Sequence, residues 1–113
     1  MKLVEKNIAL SELHEMSHRM FGGLVKAVVD IEKEIMVVDA AMHADEEKML
    51  LDHGSKQDDL WGINFYPEFE GEDFVEFDSM INIRPHQKNF SRGIESLELQ
   101  KRIRDVVSKL VAV

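Results

Sequence analysis

The stretch LVKAVVDI (residues 24–31) and the stretch IMVVDA (residues 35–40) are separated only by Glu32, Lys33 and Glu34. Val and Ile dominate both runs, and side chains branched at Cβ pack better on a pleated strand than in a helix. Two such runs divided by a three-residue polar break read as a β-hairpin. Nearly every position in both runs is apolar, without the alternation of a strand that has one face in water. The hairpin is therefore expected to be covered on both faces and to lie centrally in a sheet.

Downstream, HADEEKMLLDHG (43–54) reads as a short helix, with acids in its first turn and Gly54 just past its end. After the loop SKQDD, DLWGINFY (59–66) alternates, with Trp61, Ile63 and Phe65 on one side and Gly62, Asn64 and Tyr66 on the other. PEFEGED (67–73) connects it to FVEFDSMINIRP (74–85), which also alternates. Val75, Phe77, Ile81 and Ile83 are expected on one face of that strand, and Glu76, Asp78, Asn82 and Arg84 on the other. Past the polar loop HQKNFSRG (86–93), Ser96 or one of its neighbours starts a last helix whose stripe is Leu99, Ile103, Val106, Val107 and Leu110. Upstream, Ser11 precedes a helix with Leu10, Leu13, Ser17, Met20 and Phe21 on one stripe, ended by Gly22 and Gly23. The order α-ββ-α-ββ-α predicts an α+β domain spanning residues 1–113. Its sheet has about four strands, mainly antiparallel, with helices covering at least one face.

The 113 residues suffice for one core and not two. With no Cys, thiol catalysis, iron–sulfur clusters and disulfides are excluded. The first residues lack the apolar core of a signal peptide, and no run is long enough to span a bilayer, so a cytoplasmic protein is expected. A net charge of −8 disfavours nucleic acid and anionic membrane as partners. That charge is uneven. Residues 30–78 hold 16 acids and 3 bases, a net of −13, whereas residues 79–113 hold 7 bases and 3 acids, a net of +4. Two solvated faces explain this; so would a homodimer that pairs the two regions, or an anion held at the basic end.

Three places could carry chemistry. His14-Glu15-Met16-Ser17-His18 is a literal HExxH string on an expected helix, where two His four apart can bind one Zn²⁺ while the Glu activates a metal-bound water. No third ligand announces itself by spacing, and the plain alternative is a pair of amphipathic residues at the edge of an apolar stripe. The acids and imidazole around Asp39, His43, Asp45, Glu46 and Glu47 could serve as acid and base, with Asp39, His43 and Asp78 as the weak catalytic set. The plain alternative there is helix N-terminal charge chemistry. The third place is the polar face of residues 74–85 with the loop behind it, where Asn82, Arg84, His86 and Arg92 could hold a carboxylate or phosphate.

Taken together, KAVVDIEKEIMVVDAAMHADEE (26–47), GSKQDDLWGINFYPE (54–68), EFDSMINIRP (76–85) and SRG (91–93) resemble a family of small bacterial proteins of unknown function and similar length. The resemblance implies a bacterial, stand-alone, single-domain protein, and it carries no activity, ligand or catalytic residue. HEMSH lies outside it. The residues favour a non-catalytic binding or regulatory domain without a cofactor. It would form a homodimer and engage a protein partner or small anion through Asn82, Arg84, His86 and Arg92. A small hydrolase, zinc-dependent through His14, Glu15 and His18, is the alternative.

Overall fold

The structure is a computed structural model that describes residues 1–20 and 22–113. The expected hairpin lies at its centre. Strands β3 (Val25–Asp30) and β4 (Ile35–Val38) pair antiparallel, with Ala27 opposite Val38 and Asp30 opposite Ile35. Asp30 organises the turn: Oδ1 accepts from the backbone N–H groups of Glu32 and Lys33, both at 2.9 Å, and Oδ2 accepts from the Ser55 hydroxyl at 2.6 Å. Three donors are what allow a carboxylate to sit at 1% exposure.

Two further strands extend this pair: β1 (Lys2–Val4) joins β4, and β5 (Leu60–Phe65) joins β3. With the two-residue β6 (Val75–Glu76) beyond β5, the sheet order is β1-β4-β3-β5-β6, and every pairing is antiparallel. A short parallel pair, β2 (Ile8–Ala9) with β7 (Val111–Ala112), stands apart. The α+β class and the mainly antiparallel sheet match the expectation; the fifth strand comes from the N-terminal residues, which gave no strand signal of their own.

The three α-helices of the described residues are α1 (Leu10–Arg19), α2 (His43–Asp52) and α3 (Leu97–Leu110). On one face of the sheet, Leu13 and Met16 of α1 and Ile103, Val106, Val107 and Leu110 of α3 pack with Val25, Ala27, Val29, Trp61, Ile63 and Phe65. On the other, Leu50 of α2 packs with Val28, Ile35, Val37 and Leu60. Covering both faces removes the need for a polar face on β3 and β4, which accounts for their nearly continuous apolar runs. α3 starts within the expected stretch, and it is Ser96 that caps it, its hydroxyl accepting from the Leu99 N–H at 3.2 Å. α1 begins two residues earlier than a cap at Ser11 suggests, with Ala9 at the cap position and Ser11 inside the first turn. Phe21, expected on the α1 stripe, lies outside the described residues.

Residues 74–85 do not form the long strand that their alternation suggests. Only Val75 and Glu76 pair with β5; tight helical turns follow at Met80–Asn82 and Pro85–Gln87. The Asn82 side chain takes the place of a strand: its Oδ1 accepts from Gly62 N–H at 2.8 Å, and its Nδ2 donates to Gly62 O at 2.9 Å. A side-chain amide thus satisfies the β5 edge, and the backbone is free to turn. Gly62 makes room for this, because a Cβ there would sit 2.5 Å from the Ser79 Cβ. Val75 and Phe77 accordingly join the core under α1 and α3, whereas Ile81 joins the opposite one.

Candidate functional site

The residues expected to bind an anion are, for the most part, internal cross-links. Arg84 is buried at 4% exposure, its guanidinium 4.4 Å above the Trp61 ring. Its Nε donates to Ile81 O at 2.9 Å, and one terminal nitrogen to Gln57 O at 2.8 Å and Gln87 Oε1 at 3.0 Å. The other donates to Leu60 O and lies 3.8 Å from Glu47 Oε2. Four of the five N–H donors are bonded to protein oxygens, and the guanidinium is already paired with the Glu47 carboxylate. Asn82, fully buried, spends its amide on Gly62 and on Arg92 O. Arg92 and His86 do lie at the surface, but Arg92 pairs with Asp78 at 2.6 Å and His86 faces Asp58 at 3.3 Å. Asn89, which the sequence reading passed over, completes the knot: its Nδ2 donates to the carbonyls of Asn82, Ser91 and Gly93, and its Oδ1 accepts from Glu95 N–H.

Asp39, His43 and Asp78 are each committed elsewhere. Asp39, in a left-handed conformation with φ 71°, pairs with Arg19 at 3.1 Å. Asp78 is held by Arg92. His43, the first residue of α2, is buried, and its Nε2 lies 2.7 Å from Ile63 O. A carbonyl can only accept, so Nε2 carries the proton; burial lowers the His43 pKa and keeps the ring neutral, against the opposing pull of the Ile63 bond and the Asp78 charge. Beside it on β5, Asn64 donates to Glu76 Oε1 at 2.9 Å, and Tyr66 donates to the same oxygen at 3.1 Å. Glu46, expected among solvated helix-start acids, is instead fully buried, and Ala40 N–H donates to its Oε2 at 3.0 Å. Burial pushes its pKa up to about 9, so it is a neutral acid at pH 7.

HEMSH has a different outcome. His14 and His18 project from one face of α1, as the i, i+4 spacing requires, and Glu68 meets them from the turn after β5. His14 Nδ1 and His18 Nε2 each lie 3.9 Å from Glu68 Oε1, and the three ligand atoms are all within 4.8 Å of one another. A tetrahedral zinc ion with bonds of 2.0–2.1 Å sets its ligand atoms about 3.3 Å apart, a closure within the reach of these partly exposed side chains. Glu68 is positioned by the buried Pro67 before it and by the turn in which Phe69 N–H donates to Tyr66 O at 2.9 Å. His14 and Glu68 also border a groove of about 500 Å³ with the apolar walls Leu10, Phe69, Phe74 and Val111. Glu15 borders a different groove, with Ser11, Glu12 and Arg19, and is not part of the cluster. Fifty residues separate Glu68 from His18 and no motif spacing links them, so the sequence held no signal for this third ligand.

No helix of the described residues is long and apolar enough to cross a membrane. The chain belongs to the DUF5674 family of proteins of unknown function, whose family model matches residues 2–110. No curated protein and no solved structure matches it.

Proposed function

We propose that this member of the DUF5674 family binds a divalent transition-metal ion through His14, His18 and Glu68 and presents it to a ligand lying in the adjoining groove. The observation that carries this reading is the convergence of two imidazoles and a carboxylate within 4.8 Å. Imidazole and carboxylate donors in a three-ligand set suit zinc and leave a fourth tetrahedral position open to water or a ligand atom. In that position the ion would act as a Lewis acid on a bound oxygen. The apolar walls of the groove would take the body of a ligand whose donor atom reaches the metal. Glu15 lies outside the cluster, so the geometry supports metal-assisted binding more directly than hydrolysis driven by Glu15 as base.

Isothermal titration of the metal-stripped protein with zinc chloride tests the reading. One equivalent is expected to bind, with affinity falling at least about tenfold in Glu68→Gln and binding lost in the His14→Ala/His18→Ala double variant. His86→Ala, which changes a histidine outside the cluster, should leave the titration unchanged. A stoichiometry near zero for the parent protein, or one equivalent retained by the double variant, removes the site.

A further inference from the structure

A row of polar side chains runs in register across three strands on the α2 side of the sheet. Lys26 of β3 stands directly opposite Asn64 of β5, and Asn64 directly opposite Glu76 of β6. Lys26 shares the face of Val28, two residues on, which packs with Leu50 of α2. Directly opposed residues of an antiparallel pair have Cβ atoms about 4.5–5.5 Å apart, a gap that an amine four bonds beyond its Cβ can span. Asn64 is 3% exposed; its Nδ2 donates to Glu76 Oε1 at 2.9 Å, while its Oδ1 is buried with no partner among the described residues. The half-buried Lys26 is left without a carboxylate of its own. Asp39, whose N–H donates to Lys26 O, is paired with Arg19, and Glu76 is engaged by Asn64 and Tyr66. Three strands thus line up an amine, a carboxamide and a carboxylate, the carboxylate lying on the nitrogen of the carboxamide.

We propose that Lys26 and Asn64 are a self-modification site, joined by an isopeptide bond between Lys26 Nζ and Asn64 Cγ. The Lys26 amine attacks Cγ; the Nζ–Cγ bond forms and the Cγ–Nδ2 bond breaks. Of the three protons on the Lys26 ammonium, one stays on the new amide and two depart with Nδ2 as an ammonium ion. Atoms and charge balance with no oxidant, reductant or cofactor. Glu76 touches the leaving nitrogen and is the catalytic residue, passing protons to Nδ2 as it departs. Fixed opposition in the sheet makes the step intramolecular, and such pairing replaces the entropy cost of a bimolecular encounter. Burial of Asn64 keeps water from competing for Cγ, whereas the exposed Glu76 gives the ammonium ion a way out. The inference is independent of the metal reading, since it shares no residue with His14, His18 or Glu68.

Intact-mass spectrometry of the purified folded protein tests this directly. The parent chain is expected about 17 Da below its sequence mass, the loss of one ammonia. Its tryptic digest should lack cleavage after Lys26 and contain a branched peptide that joins the segments holding Lys26 and Asn64. Lys26→Arg keeps the positive charge but cannot form the bond, and it should restore the full sequence mass, as should Asn64→Ala. Glu76→Gln should leave most of the chain unlinked while the fold, followed by circular dichroism, is retained. A parent chain at its full sequence mass with normal cleavage after Lys26 overturns the proposal. A loss of about 17 Da that persists in Lys26→Arg also overturns it, because ammonia would then have left by another route. Complete linkage in Glu76→Gln would overturn the role given to Glu76.

Discussion

Between Ser79 and Glu95, the side chains of Asn82, Arg84 and Asn89 turn inward and are consumed by backbone carbonyls and amides. Along α1 and the turn at Glu68, His14, His18 and Glu68 stand partly in water, each histidine 3.9 Å from the Glu68 carboxylate and with no other side-chain partner among the described residues. Both regions look alike in sequence, as polar residues interleaved with apolar ones. The difference lies in the backbone that surrounds them. Tight turns at residues 80–82 and 85–87 leave carbonyls and amides without ladder partners, and side chains must satisfy them. α1 satisfies its own backbone, so its outward side chains stay available for a ligand.

If that contrast is right, the largest effect belongs to Arg84→Ala. Removing a buried guanidinium strands four acceptors and the Glu47 carboxylate, and should cost about 3–5 kcal/mol of unfolding free energy in urea titrations. A loss below about 1 kcal/mol would return Arg84 to the pool of residues available for binding.

Glu46 gives the next largest effect. Its folded pKa of about 9 lies above the ordinary carboxyl value, so the folded chain keeps a proton that the unfolded chain releases. Stability from this group is full at acid pH, falls as pH rises above the unfolded carboxyl pKa of about 4.3, and levels off once pH passes about 9. Urea midpoints measured at pH 6, 7.5 and 9 should decline in the parent and stay nearly level in Glu46→Gln, which copies the protonated form. Parallel slopes would show that Glu46 is not the buried neutral acid described above.

At the small end, His14→Ala/His18→Ala should change the stability of the metal-free protein by no more than about 0.5 kcal/mol, as for exposed positions generally. A large loss in that variant would make the α1 edge structural, like the 79–95 loop, and erase the contrast.

The α+β class, the central hairpin, the buried stripe of α3 and, on α1, Leu13 and Ser17 were legible in the sequence, because apolar spacing reports directly on strand and helix periods. The start of α3 at or beside Ser96 and the i, i+4 face of His14 and His18 were legible for the same reason: each depends only on residues within one turn of each other. The readings that failed depend on partners far away in the chain. The alternation of residues 74–85 was real, but Asn82 reaching Gly62 replaced the strand with a turn. Glu46 looked like its solvated neighbours until α2 packed on the sheet and buried it. Glu68 became a third ligand only when the turn after β5 met α1. Local periodicity thus determined which elements form. Which polar groups they hold together, and which they leave free, followed from long-range packing, where each buried donor or acceptor takes whatever partner the fold brings within about 3 Å.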